Sequence, residues 1–143
     1  MNPLDLHLSR TVRSTPEKVW NAWTTEAGLA SWWWHTWPDT RYRIDAQEGG
    51  SYLIEAADHG IGVRGEYLEL RPYERLIFTW IWIEDGADGD VENVSVTFTP
   101  DGDRVRIDLV HTGPWTTIEP VDNYRQGWDF VLAALHDAVG SAA

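Results

Sequence analysis

One stretch of this chain sustains apolar residues at helical steps, and it lies at the C-terminal end. From about residue 120 to residue 139, Val121, Tyr124, Trp128, Val131, Leu135 and Ala138 recur every three or four positions and draw a single apolar stripe. Gly140 follows as a stop. Between residues 40 and 111 the dominant period is two instead, the signature of half-buried strands. A chain of alternating strands with one long amphipathic helix has few ways to hide its apolar surface. The strands pair into a sheet, and the helix covers the sheet's apolar face.

The remaining elements follow from local signals. In residues 4–13, Leu4, Leu6, Leu8 and Val12 alternate with Asp5, His7, Ser9 and Thr11, which predicts a first strand. Ser14-Thr15-Pro16-Glu17 reads as a helix start, with a hydroxyl cap, a first-turn proline and an acid at the positive dipole end. Val19, Trp20 and Trp23 continue that helix, and Gly28 is expected to break it. Leu29, Trp32 and Trp33 predict a second short helix ending before Pro38. Tyr42 and Ile44, then Tyr52 and Ile54, mark two strands around the Gly49-Gly50 turn, and Asp58-His59-Gly60 turns the chain again. Residues 61–71 form a strand that Pro72 ends. The run from Leu76 to Ile83 is apolar without alternation, so both its faces are expected to be covered. Residues 85–90 read as an acidic, glycine-rich turn. Val94, Val96 and Phe98, then Val105, Ile107 and Leu109, flank the hairpin signal Pro100-Asp101-Gly102-Asp103. The prediction is α+β: a seven-stranded curved antiparallel sheet around a long C-terminal helix, two short helices after strand 1, and residues 1–143 as one domain.

Charge and composition exclude several function classes. The formal net charge is −12, a field that repels nucleic acid and anionic membrane surfaces. There are no cysteines, so disulfides, thiolate catalysis and cysteine zinc sites are out. His7, His35, His59, His111 and His136 show no metal-ligand spacing, and no phosphate loop or dinucleotide motif is present. Neither metal nor organic cofactor is expected. The start Met1-Asn2-Pro3-Leu4-Asp5 lacks the basic and apolar parts of a signal peptide, so a cytoplasmic location is expected.

Ten of the 143 residues are Trp, more than core packing in so small a chain demands. If Phe78, Trp80 and Trp82 share the concave face, they oppose Tyr124 and Trp128 of the helix stripe, an aromatic box suited to planar or cationic ligands. In Trp32-Trp33-Trp34, consecutive helical residues would diverge by about 100°, so at least one is expected to be exposed or at a cavity mouth. The candidate ligand-binding set is Trp33, Phe78, Trp80, Trp82, His111, Tyr124 and Trp128. His111 continues the inward parity of Val105, Ile107 and Leu109. Glu66 shares strand parity with Leu68 and Leu70 and is placed on the concave face, within reach of Arg64, unless a bulge at Gly65 flips the register. Gly127 lies inside the last helix, where a small residue admits the sheet or a ligand.

Four passages carry a family resemblance. They are Thr15-Pro16-Glu17-Lys18-Val19-Trp20-Asn21-Ala22-Trp23-Thr24 with Trp32-Trp33; Glu48-Gly49-Gly50-Ser51-Tyr52; Gly65-Glu66-Tyr67-Leu68-Glu69-Leu70 through Arg75-Leu76-Ile77-Phe78-Thr79-Trp80; and His111-Thr112-Gly113 with Gly127-Trp128. In this order they resemble the domain family related to the C-terminal part of the heat-shock-protein-90 ATPase activator, within the START and birch-pollen-allergen-like superfamily. The resemblance implies a helix-grip fold with an internal cavity. It names no reaction.

The leading functional expectation is a binding module for an apolar or aromatic small molecule, polyketide-like or lipid-like, acting as carrier, sensor or sequestering protein, monomeric or homodimeric. The alternative is a cyclase- or hydrolase-type enzyme using His111, Glu66 and Tyr124 in the same cavity. A co-chaperone-like interaction role comes third.

Overall fold

The computed structural model describes residues 4–140; Met1, Asn2 and Pro3 of the N-terminal reading lie outside the described residues. The seven strands are β1 (Leu6–Val12), β2 (Thr40–Ile44), β3 (Ser51–Ala56), β4 (Ile61–Arg71), β5 (Arg75–Glu84), β6 (Ala87–Asp101) and β7 (Arg104–Thr112). Helices α1 (Pro16–Thr24) and α2 (Glu26–Ala30) follow β1, and α3 (Glu119–Val139) closes the chain. The strands form one sheet in the order β1-β7-β6-β5-β4-β3-β2, every pairing antiparallel. The expected fold class stands: one sheet, two short helices after the first strand and a long helix against the apolar face.

The core lies between that face and the helices. Val94, Val96, Val105, Ile107 and Leu109 of the sheet are buried, as are Val121, Trp128, Val131, Leu132 and Leu135 of α3. Thr15 caps α1 by accepting from Lys18 N at 3.2 Å, with Pro16 in the first turn.

Four local expectations change. The break between the short helices falls at Thr25, whose extended backbone ends α1 and whose hydroxyl caps α2 through Gly28 N at 2.9 Å. Gly28 therefore sits within α2, where a Cβ would meet Asn21 O at 2.2 Å; it is a close-packing glycine. Residues 31–36 form turns, and Trp34 has φ +49°. Trp32, Trp33 and Trp34 are all buried, and Trp33 and Trp34 line the pocket described below, so the expected place beside a cavity holds. Residues 85–90 are not one long turn. Asp85 and Gly86, both at positive φ, make a two-residue hairpin, and β6 begins at Ala87. Finally, β5 is covered on one face only. Leu76, Phe78 and Trp80 are buried while Ile77 and Ile81 are half-buried, because none of the described elements packs on the outer face of the sheet there.

Candidate functional site: an aromatic cavity backed by a buried Glu-His pair

Strand β5 supplies one wall. Successive inward positions are Phe78, Trp80, Trp82 and Glu84, and the two indoles run parallel at 10° with centroids 6.3 Å apart. The turn after α2 supplies Trp33 and Trp34. Trp33 meets Trp80 at 5.8 Å and Trp128 at 5.2 Å, and Trp34 meets Trp82 edge-on at 6.0 Å. Helix α3 closes the space with Pro120, Asn123, Tyr124, Gly127, Trp128 and Val131. The rings pack against one another, Trp80 touching Trp33, Trp82, Tyr124 and Trp128, and beside them a half-open pocket of ≈ 370 Å³ remains, at the small end of the ligand-pocket range of about 300–1,000 Å³.

Of the seven expected ligand-binding residues, Trp33, Trp80, Trp82, Tyr124 and Trp128 line this cavity. Phe78 does not. One step further along β5, it borders a separate void of ≈ 20 Å³ with Tyr52 and Tyr67, lined almost wholly by apolar atoms. His111 is fully buried outside the cavity lining, and Trp80, Tyr124 and Trp128 are cavity residues that touch it. Gly127 faces open space, with nothing within 4 Å of the point a Cβ would occupy, so it thins the helix at the cavity and does not serve close packing.

Glu66 is exposed on the outer face, which corrects its expected concave placement. The physical reason is a bulge between Tyr67 and Glu69, not at Gly65. It separates Leu70, which pairs with buried Leu76, from Glu66 and Leu68, which point outward. Arg64 pairs with Asp88 at 2.5 Å instead of with Glu66. The expected catalytic trio therefore does not assemble: His111 and Tyr124 are neighbours at 4.5 Å, and Glu66 is on the other side of the sheet.

Behind the cavity wall lies a carboxylate that the sequence motifs do not single out. Glu92 is 7% exposed, pairs across the sheet with Trp80 and reaches His111 Nε2 at 2.7 Å. Its other oxygen accepts from Trp115 Nε1 at 3.3 Å. Tyr124 accepts from Trp80 Nε1 at 3.3 Å. Trp128 Nε1 approaches His111 Nδ1 at 3.0 Å. Indole is a donor only, so Nδ1 must carry the lone pair and Nε2 the proton, which it donates to Glu92. The network is satisfied with a neutral imidazole. Burial pushes the His111 pKa below its ordinary 6.5, against the opposing pull of Glu92. Burial first, and the Glu92 charge second, raise Tyr124 far above the ordinary phenol value, so it stays a neutral hydroxyl. Neither His111 nitrogen is free to take a proton from a bound molecule. A signal for Glu92 does exist in the sequence: the alternation of Val94, Val96 and Phe98 extends back to position 92.

Among the described residues no group of three or more His, Cys, Asp or Glu is arranged to hold a metal ion. No helix among them is long and apolar enough to cross a membrane. One polar atom in the cavity wall is unmatched: Trp33 Nε1 is buried without a hydrogen-bond partner.

An antiparallel sheet gripping a C-terminal helix, with an aromatic cavity between them, defines a helix-grip α+β protein. The family model described as activator of Hsp90 ATPase homolog 1-like protein matches residues 13–140, and the chain belongs to that family. No curated protein sequence matches it. Among solved structures, protein CV1439 from Chromobacterium violaceum is 28% identical over 97% of this chain and 99% of its own, with a TM-score of 0.80. The Aha1 dimer from Colwellia psychrerythraea shares the fold at 17% identity, covering 94% of this chain and 95% of its own, TM-score 0.78. DynU16, from the dynemicin biosynthetic locus, shares it at 19% identity over 93% of this chain and 46% of its own, TM-score 0.79.

Proposed function

We propose that this protein binds a small molecule with a planar aromatic body in the pocket between β5 and α3, as a carrier, sensor or sequestering protein. The observation that carries the reading is the ≈ 370 Å³ of space left among Trp33, Trp34, Trp80, Trp82 and Trp128. It is a concave pocket lined mainly by rings with few polar groups, the character of small-molecule sites. The likeness to DynU16, whose locus is biosynthetic, supports a natural-product-like ligand. The engaged nitrogens of His111 and the outward Glu66 favour binding over catalysis.

The expected affinity follows from two opposing terms. Burying a planar ligand against several indoles yields about 25 cal/mol per Å² of apolar area. Association costs several kcal/mol in lost freedom, which leaves roughly −8 kcal/mol, or micromolar binding. The test is titration with N-phenyl-1-naphthylamine, a neutral probe that brightens in apolar surroundings. It should bind with micromolar affinity, and Gly127→Leu, which projects a side chain into the open space, should weaken it about tenfold or more. Equal affinity in both proteins would contradict the site.

A further inference from the structure

We infer that the molecule this cavity is built for carries a positive charge: a quaternary or protonated amine on an aromatic body. The inference deepens the binding reading above and depends on it. Trp33, Trp34, Trp80, Trp82, Tyr124 and Trp128 bring six aromatic rings to the lining, beside Pro120, Asn123, Gly127 and Val131, and rings gathered in this way are the residue type that recognises ammonium groups.

Two carboxylates add to this. Glu84 stands at the rim, in the same inward row as Trp80 and Trp82, and Trp82 Nε1 holds it by donating to Oε1 at 3.1 Å. Glu92 sits behind Tyr124 and accepts from His111 Nε2 and Trp115 Nε1, which places a second carboxylate at the back of the wall. None of the described lining residues is Lys, Arg or His. An anionic ligand would meet the Glu84 carboxylate at the rim and no compensating cation in the lining. The net charge of −12 acts in the same direction at long range, drawing cations toward the protein.

The test is competition against bound N-phenyl-1-naphthylamine by a matched pair of probes, (4-hydroxybenzyl)trimethylammonium and its uncharged carbon isostere 4-neopentylphenol. The two differ in charge and hardly in shape. The cation should displace the dye at about tenfold lower concentration than the isostere. Added salt should narrow that gap, because part of it comes from the exposed Glu84. Glu84→Gln should reduce the cation-to-isostere ratio about threefold. Equal displacement, or a preference for the isostere, overturns the charge assignment and leaves the cavity reading intact. Failure of the dye itself to bind overturns the cavity reading. A ratio unchanged in Glu84→Gln removes that carboxylate from the site.

Discussion

His111 shows how a single residue can be fixed in one chemical form by its neighbours. Trp128 donates to one nitrogen and Glu92 accepts from the other, so a second proton on the ring would have to displace an indole N–H. The linkage sign follows. The folded-state pKa lies below the ordinary 6.5, so in acid the unfolded chain binds the proton first. Full stability is present above the unfolded value, falls as pH drops through about 6.5, and levels off once the folded-state pKa is passed. Replacing the ring by an amide, His111→Gln, should remove this part of the pH dependence. Urea midpoints of the two proteins measured from pH 8 to pH 5 should therefore converge in acid, and parallel curves would contradict the neutral-imidazole assignment. Glu92→Ala should cost more than a surface truncation, about 1–3 kcal/mol for the buried His111 Nε2 it strands, since only the half-exposed Trp115 Nε1 can turn to water. Chemical denaturation reads this directly, and a loss below about 0.5 kcal/mol would show that the network is not held as described.

At the scale of elements, two helical glycines should respond in opposite directions. Gly28 lies where α2 crosses α1, and a Cβ would overlap Asn21 O. Gly28→Ala should destabilise by about 1–3 kcal/mol, the usual cost of overpacking. Gly127 faces open space on α3, so Gly127→Ala should stabilise by up to about 1 kcal/mol through helix propensity alone. Thermal midpoints moving the same way in both variants would contradict this placement. These glycines also show what periodicity can and cannot disclose. The long helix, the succession of strands and the inward rows of β6 and β7 are legible because periodicity reports burial directly, whereas β5 is apolar throughout and hides which of its faces is covered. The β4 bulge is not legible, since one extra residue leaves no compositional mark, and parity alone therefore puts Glu66 on the wrong face. The left-handed Trp34 is equally silent in the sequence. Glu92 is legible through its parity but is eclipsed by the acidic stretch before it, which reads as turn and is mostly strand.

For the molecule as a whole, the sheet and α3 fix the size and chemistry of one space. The strand row Trp80-Trp82-Glu84 and the helix row Tyr124-Gly127-Trp128-Val131 face each other, and the turn bearing Trp33 and Trp34 closes the gap. Tryptophans outside that space, Trp20 and Trp23 against Phe98, and Trp37 stacked on His59, do other packing work. This division allows the central claim to be tested by position. In a ¹H–¹⁵N spectrum each indole N–H gives its own signal, and N-phenyl-1-naphthylamine can be added stepwise. The account predicts saturable shifts of the Trp33, Trp34, Trp80, Trp82 and Trp128 indole signals, with those of Trp20 and Trp37 unmoved. Shifts centred on Trp20 or Trp37, or no saturable shift at all, would contradict it.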